Sequence, residues 1–371
     1  MNRVGIVSYN INCNFTNYGS ALQSWALKTV VERLGCRASL VDYCPKVHLC
    51  SDPLNPYKNM WDKDVESRRM CELSMPAIRE NYAKFERFYT ERFNRTKRKY
   101  TAENLDDIVQ DEHVDGFVCG SDTIFCVDEF KGLEDGYFAN CPCMRGKAVA
   151  YAASFGDSHF TPETFALLNS RLSNFKAIGL RESAWIEYCK KHAAIPIERV
   201  VDPTFLLTRD DYDRIAESKD EIGGPYLLLY VRRYSKEMED FAVSYARQHD
   251  LRVVEISLRA TNSEKGHLMR YGAGVEEFLS LTRNATCVVT NSFHGLIFAV
   301  QYARPFAIFS REQADSKIKE VLNLIGMEDV ADLTFQAKAM VQPVRDVAYD
   351  RITEARSRSL DFLQMELDLL R

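Results

Sequence analysis

The chain has 371 residues, 46% of them hydrophobic and 27% charged, which excludes a disordered or fibrous polypeptide and leaves apolar material for more than one core. Lys and Arg number 48 against 53 Asp and Glu, a formal net charge of -5, and so mild an acidity argues against a dedicated nucleic-acid or polybasic membrane binder. The 11 cysteines, an odd number with no second ligand pair to match Cys141 and Cys143, read as reduced thiols rather than as a disulfide or metal framework.

The opening MNRVGIVSYNIN lacks a basic segment followed by a long apolar one, so a cytoplasmic protein is expected. No stretch approaches the roughly 18 apolar residues that span a bilayer, which leaves at most a peripheral membrane contact. Val4–Val7 is a short apolar run suited to a strand buried on both faces. A polar loop, Asn10 to Gly19, precedes a helix predicted from about Ser20 to Leu34, with Leu22, Ala26, Val30 and Leu34 on one stripe and Gly35 as its stop. Leu40–Tyr43 reads as the next strand and completes a βαβ unit, which implies a parallel sheet. Residues 44–112 read as a helical insertion. Tyr82, Phe85, Phe88, Tyr89 and Phe93 form its stripe, and Lys97, Arg98 and Lys99 read as a solvated helix end and loop.

Strand-like runs resume at Phe117–Cys119, Ala148–Ala152, Ala177–Leu180 and Val200–Val201, with helical patterns around 162–175 and 183–192. After an acidic stretch ending at Gly223-Gly224-Pro225, a second alternating set begins. Its strands are Tyr226–Val231, Arg252–Ile256, Cys287–Thr290 and Phe306–Phe309, and its helices Lys236–His249, Val275–Thr282 and Gly295–Tyr302. The last 25 residues read as a helix with Leu360, Leu363, Leu367 and Leu370 on one side. The expected fold class is α/β, with two Rossmann-like, doubly wound domains facing a cleft. Residues 1–208 form the first, 209–345 the second, and a helix over 346–371 packs back on the first. Ligands of such sheets bind outside the carboxyl ends of the strands.

The loops at those ends carry the candidate chemistry. In Asn17-Tyr18-Gly19-Ser20, Ser20 fits a helix N-cap, while a glycine beside free helix N–H groups lets an anion or sugar hydroxyl approach. In Gly120-Ser121-Asp122, either polar residue fits a turn cap, and Asp122 is also placed to accept a proton from a substrate hydroxyl. Arg181, in Gly179-Leu180-Arg181-Glu182-Ser183, fits an anion contact or a salt bridge equally. Asn291-Ser292-Phe293-His294 opens an apolar helix, where the dipole and free N–H groups favour phosphate and His294 fits a phosphate ligand or general acid, or a packed structural histidine. Arg232, Arg233, Arg304 and Lys317 complete the cationic candidates.

The ordered set NYGSALQSWAL, FVCGSDTIF, AYAASFG, GLRES, VDPTFLL and TNSFHGLIFAVQYARPFAIF resembles the polysaccharide pyruvyl transferases from about Val4 to Gly326. The resemblance implies transfer of the pyruvate moiety of phosphoenolpyruvate onto sugar hydroxyls as a pyruvate ketal, in surface polysaccharide biosynthesis. It also implies a GT-B glycosyltransferase-like fold, a sugar or lipid-linked oligosaccharide acceptor, and no metal or organic cofactor. His294 matches the family's histidine, Arg181 its arginine, Asn17 and Gly19 the N-terminal loop, and Ser121 and Asp122 the Gly-Ser-Asp motif. Thr123 and Phe125 depart from it, standing where many relatives carry Gln and Trp, and Lys317 stands where Arg is common. The catalytic set expected on this basis is His294 as phosphate contact and acid, Asp122 as base and Arg181 as anion clamp. The substrate-binding set is Asn17, Tyr18, Gly19, Ser121, Ser292, Arg232, Arg304 and Lys317. A nucleotide-sugar glycosyltransferase and a non-catalytic sugar-binding family member are the rival readings.

Overall fold

The computed structural model describes residues 2–60, 64–217, 222–311, 315–330 and 340–371. Seven strands form the first sheet: β1 (Arg3–Val7), β2 (Arg37–Tyr43), β3 (Arg95–Tyr100), β4 (Gly116–Cys119), β5 (Ala148–Ala153), β6 (Phe175–Leu180) and β7 (Ile197–Arg199). They pair in parallel in the order β3-β2-β1-β4-β5-β6-β7. The second sheet holds β8 (Tyr226–Tyr230), β9 (Arg252–Ile256), β10 (Leu268–Met269), β11 (Cys287–Thr290) and β12 (Phe306–Ile308). It too is parallel, in the order β10-β9-β8-β11-β12. Central strands such as β5 and β8 are buried at every residue, which is why they read in the sequence as unbroken apolar runs.

Three local expectations are corrected. Lys97, Arg98 and Lys99 lie in β3, not in a loop: the strand is at the sheet's edge, buries only Thr96 and Tyr100, and leaves the three cations in water, where they discourage further strand pairing. Val200 and Val201 follow β7 rather than forming a strand. The first helix begins at Tyr18, because Asn17 and not Ser20 caps it, accepting from the Gly19 N–H at 3.1 Å.

The terminal helix, Val347–Asp368, packs on the first sheet beside β5 and β6. Its Ser359 hydroxyl accepts from the Val201 N–H at 3.0 Å, and just beyond it the Leu370 carbonyl accepts from the Asn2 side chain at 3.0 Å. The two sheets are joined along a seam. Tyr18 stacks on Phe278 with centroids 4.6 Å apart and donates to the Ala273 carbonyl at 2.8 Å. Lys84 pairs with Glu277 at 2.8 Å, and Gln301 donates to the Thr204 carbonyl at 2.7 Å. One apolar cluster accordingly runs from Val4 through the first helix and the second sheet's helices to Leu370. No described helix is long and apolar enough to cross a membrane.

Leu367 is fully buried in the terminal helix while Leu369 is 36% exposed. Leu367→Ala should therefore cost about 2–5 kcal/mol in urea unfolding, and Leu369→Ala far less. Equal effects would mean that the helix does not dock as described.

Candidate active site

Strand order reverses between β1 and β4 in the first sheet and between β8 and β11 in the second. At such points the connections leave in opposite directions and open a crevice at the carboxyl ends. The loops after β1, β4, β8 and β11 meet there around a cavity of about 690 Å³, lined by Asn17, Ser20, Asp122, Glu129, Arg232, Ser292, His294, Arg311 and Lys317 among others.

Arg181 leaves the end of β6 and is buried. Its Nη1 donates to Asp202 Oδ2 at 2.7 Å, and its Nη2 lies 3.5 Å from Asp122 Oδ1. Ser20 donates to the other Asp122 oxygen at 3.0 Å. Asp202 Oδ1 accepts from the Thr204 hydroxyl at 2.6 Å and its N–H at 3.0 Å, while Oδ2 faces His294 Nε2 at 3.6 Å. That last separation is beyond a hydrogen bond, and His294 Nε2 is buried without a partner. His294 belongs to the first turn of the helix Phe293–Gln301, whose cap is Ser292, accepting from the Gly295 N–H at 3.1 Å. On the Nδ1 side the imidazole passes directly over Gly19, where a Cβ would fall 1.9 Å from Nδ1. Only glycine fits beneath it.

Burial works to raise Asp122, but the charges of Arg181, Lys317 and His294 outweigh it and hold the carboxyl below its ordinary range. For Asp202 burial is again the largest influence and is again overcome, by the facing His294 imidazole and by Arg181, leaving it well below that range. Glu129 differs. It lies open to the cavity yet is surrounded by protein, and burial with the Asp122 charge pushes its carboxyl up. The Thr123 hydroxyl donates to its Oε2 at 2.8 Å. Burial lowers the Lys317 ammonium, with Asp122 opposing. Asp122 itself has φ +74°, a left-handed backbone that side chains rarely adopt and that tends to occur at functional positions.

The structure thus brings together His294, Asp122, Arg181, Lys317 and Gly19, with Asn17, Ser292 and Arg232 on the cavity wall. It does not bring Arg304 there. That guanidinium donates to the Tyr302 and Ala285 carbonyls at the amino ends of β11 and β12, the opposite end of the sheet. Tyr18 is spent on the seam, and Ser121 is fully buried, with its N–H on Gln23 at 3.1 Å. Arg181 is ion-paired with Asp202 and Asp122, while its Nε and Nη2 are buried without a hydrogen-bond partner. Sequence reasoning missed Asp202, Glu129 and Arg311. Asp202 lay in the conspicuous Asp-Pro-Thr-Phe run; Glu129 and Arg311 carried no signal beyond following a strand.

A cleft at the paired switch points of two parallel sheets defines a two-domain α/β protein of GT-B-like architecture. Solved structures of that shape include an S. aureus MnaA–UDP co-structure (TM-score 0.53, 12% identity, covering 100% of this chain and 98% of the other). They also include the Rickettsia bellii UDP-N-acetylglucosamine 2-epimerase (0.53, 12%, 100% and 97%) and the Methanocaldococcus jannaschii UDP-GlcNAc 2-epimerase with UDP-GlcNAc and UDP (0.51, 12%, 98% and 99%). No curated protein matches the chain. The family model described as polysaccharide pyruvyl transferase matches residues 17–313, and the chain belongs to that family.

Two measurements probe this geometry. Gly19→Ala should displace the buried imidazole and lower the melting temperature, the overpacking outweighing the helix preference of Ala; a shifted His294 ring resonance in a folded protein is the expected result. Asp202 is depressed in the folded chain and near 3.9 when unfolded. Its stabilisation is therefore fully present above about pH 4 and is lost as pH falls through the folded value. Asp202→Asn should flatten the acid limb of the stability curve below about pH 4.

Proposed function

We propose that this chain transfers the pyruvate moiety of phosphoenolpyruvate onto a pair of sugar hydroxyls, forming a cyclic ketal and releasing phosphate, in the cytoplasmic assembly of a surface polysaccharide. The observation that supports this reading is an ionised carboxylate, Asp122, and an imidazole, His294, presented by opposite sheets to one cavity whose wall also carries Arg232, Arg311 and Lys317. Family membership points the same way.

The reaction needs an acid, a base and stabilisation of a leaving phosphate. His294 protonates the methylene carbon as the double-bond electrons form the new C–H bond, which leaves cationic character on the neighbouring carbon. An acceptor hydroxyl attacks that carbon and gives its proton to Asp122. The carbon–oxygen bond to phosphate then breaks, phosphate leaving with the electron pair and taking up a proton. The second hydroxyl closes the ring and gives its proton to His294, while the proton held by Asp122 is the one that passes to the departing phosphate, so both groups return to their starting forms. Asp122, kept ionised by its cationic neighbours, suits the base. Arg181 and Asp202 position the pair.

One observation favours a second reading, nucleotide-sugar glycosyl transfer: two of the structures named above contain UDP. Incubation with phosphoenolpyruvate or nucleotide sugars, each against a panel of free and lipid-linked sugars, separates them. Phosphate release with the added mass of a ketal is expected, and nucleotide release alone would overturn the proposal. Asp122→Asn and His294→Gln should each lower kcat by about 10²–10⁴-fold; His294→Gln should change the melting temperature little, whereas Asp122→Asn should lower it because it removes a counter-charge of buried Arg181.

A further inference from the structure

The charges around the cavity are sorted by sheet. Asp122 and Glu129 come from the segment after β4 of the first sheet, whereas Arg232 follows β8, Arg311 follows β12 and Lys317 lies on the helix Asp315–Leu324 behind it. The buried cations near the carboxylates are compensated: Arg181 by Asp202 and Asp122, Lys317 in part by Asp122. Arg232 and Arg311 are not. Among the described residues neither is ion-paired with a carboxylate, and after burial the strongest influence on Arg311 is the like charge of Arg232. Asp122 and Glu129 act on Arg311 more weakly than that repulsion does. Arg311 Nε is buried with no hydrogen-bond partner. The Arg232 guanidinium lies over the Phe15 ring at 4.6 Å, and both residues line the cavity.

Two neighbouring guanidiniums, both half-buried, one with a buried and unpartnered Nε and neither ion-paired among the described residues, repel one another until an anion joins them. A phosphate suits that gap, because it offers several oxygens to planar N–H edges and two negative charges to two positive ones. The start of the Phe293–Gln301 helix, on the same wall, adds favourable N–H dipoles. We infer that Arg232 and Arg311 together form a binding site for a phosphate group, which holds the phosphate of phosphoenolpyruvate and then the phosphate released. The identity of the donor rests on the function proposed above; the anion site does not. The phosphate thereby lies against the second sheet and the acceptor hydroxyls against Asp122 and Glu129 of the first.

The test is titration calorimetry of the full chain with inorganic phosphate, phosphoenolpyruvate and UDP, on wild type, Arg232→Gln, Arg311→Gln and the double variant. Lys236→Gln, at an exposed surface residue, controls for net charge. Each single variant should lose about tenfold or more in phosphate and phosphoenolpyruvate affinity, the double variant should lose binding altogether, and the control should match wild type. Without ligand the Arg variants should melt at or above the wild-type temperature, because repulsion is relieved, and phosphate should raise the melting temperature of wild type and of the control, less that of the single variants, and not that of the double variant. A folded double variant with wild-type phosphate affinity would overturn the site, as would a wild type that binds none of the three anions at millimolar concentration. If the glutamine variants fail to fold, Arg232→Lys and Arg311→Lys take their place, and wild-type phosphate affinity in both together with lowered melting temperatures would overturn it equally. Phosphate or UDP binding that depends on the pair, with no ketal formed from phosphoenolpyruvate, would uphold the anion site and sink the pyruvyl-transfer reading instead.

Discussion

A guanidinium taken out of water must find counter-charges, and Arg181 finds two. Transfer of an ion from water to a protein interior costs several kcal/mol even after relaxation, and only close, well-directed partners offset it. Asp202 at 2.7 Å and Asp122 at 3.5 Å supply them. Those carboxylates arrive on segments following β7 and β4, on either side of the β6 end that carries Arg181, so the buried charge is balanced only when all three strands are in register. Asp202 extends the network toward His294 of the second half, and Gly19 closes it from beneath. Seam and cleft chemistry are therefore one construction.

Two of the carboxylates facing the cavity, Asp122 and Glu129, live in opposite surroundings. Asp122 is crowded by cations and held ionised, whereas Glu129 has a hydroxyl and a neighbouring negative charge and is pushed toward its neutral form. Divergent environments of this kind separate acid from base duties within one cleft. Here the divergence arises from which side of the cavity each side chain faces, although both descend from the same short segment after β4.

Much of the fold was legible because parallel strands buried on both faces read as nearly continuous apolar runs, as β5, β8 and β11 do. An edge strand has no such obligation. β3 buries two residues and exposes three cations between them, so its pattern matches a solvated loop. β10, with two residues, has no period to detect. At the site, Asp122 and His294 could be found because each stands within two residues of a glycine just past an apolar run. Arg304 misled for a reason that composition cannot reveal: it precedes β12 and so lies at the wrong end of the sheet, whereas Arg311, which follows the same strand, reaches the cavity. Asp202 was visible within a motif, but pairing it with Arg181 and His294 requires contacts across 21 and 92 positions that no local pattern encodes.

The polypeptide passes between the sheets twice. It leaves the first after β7 and returns once Gln342 has bridged to Phe306 on the second, running at once into the terminal helix against β5 and β6. A single crossing would be a tether, free to swing and slide. Two crossings act as the paired pins of a hinge, leaving rotation about the line between them and suppressing translation of one half along the other. Register across the cleft is then a mechanical property of the chain path, and a ligand that must touch both faces always meets them in the same alignment.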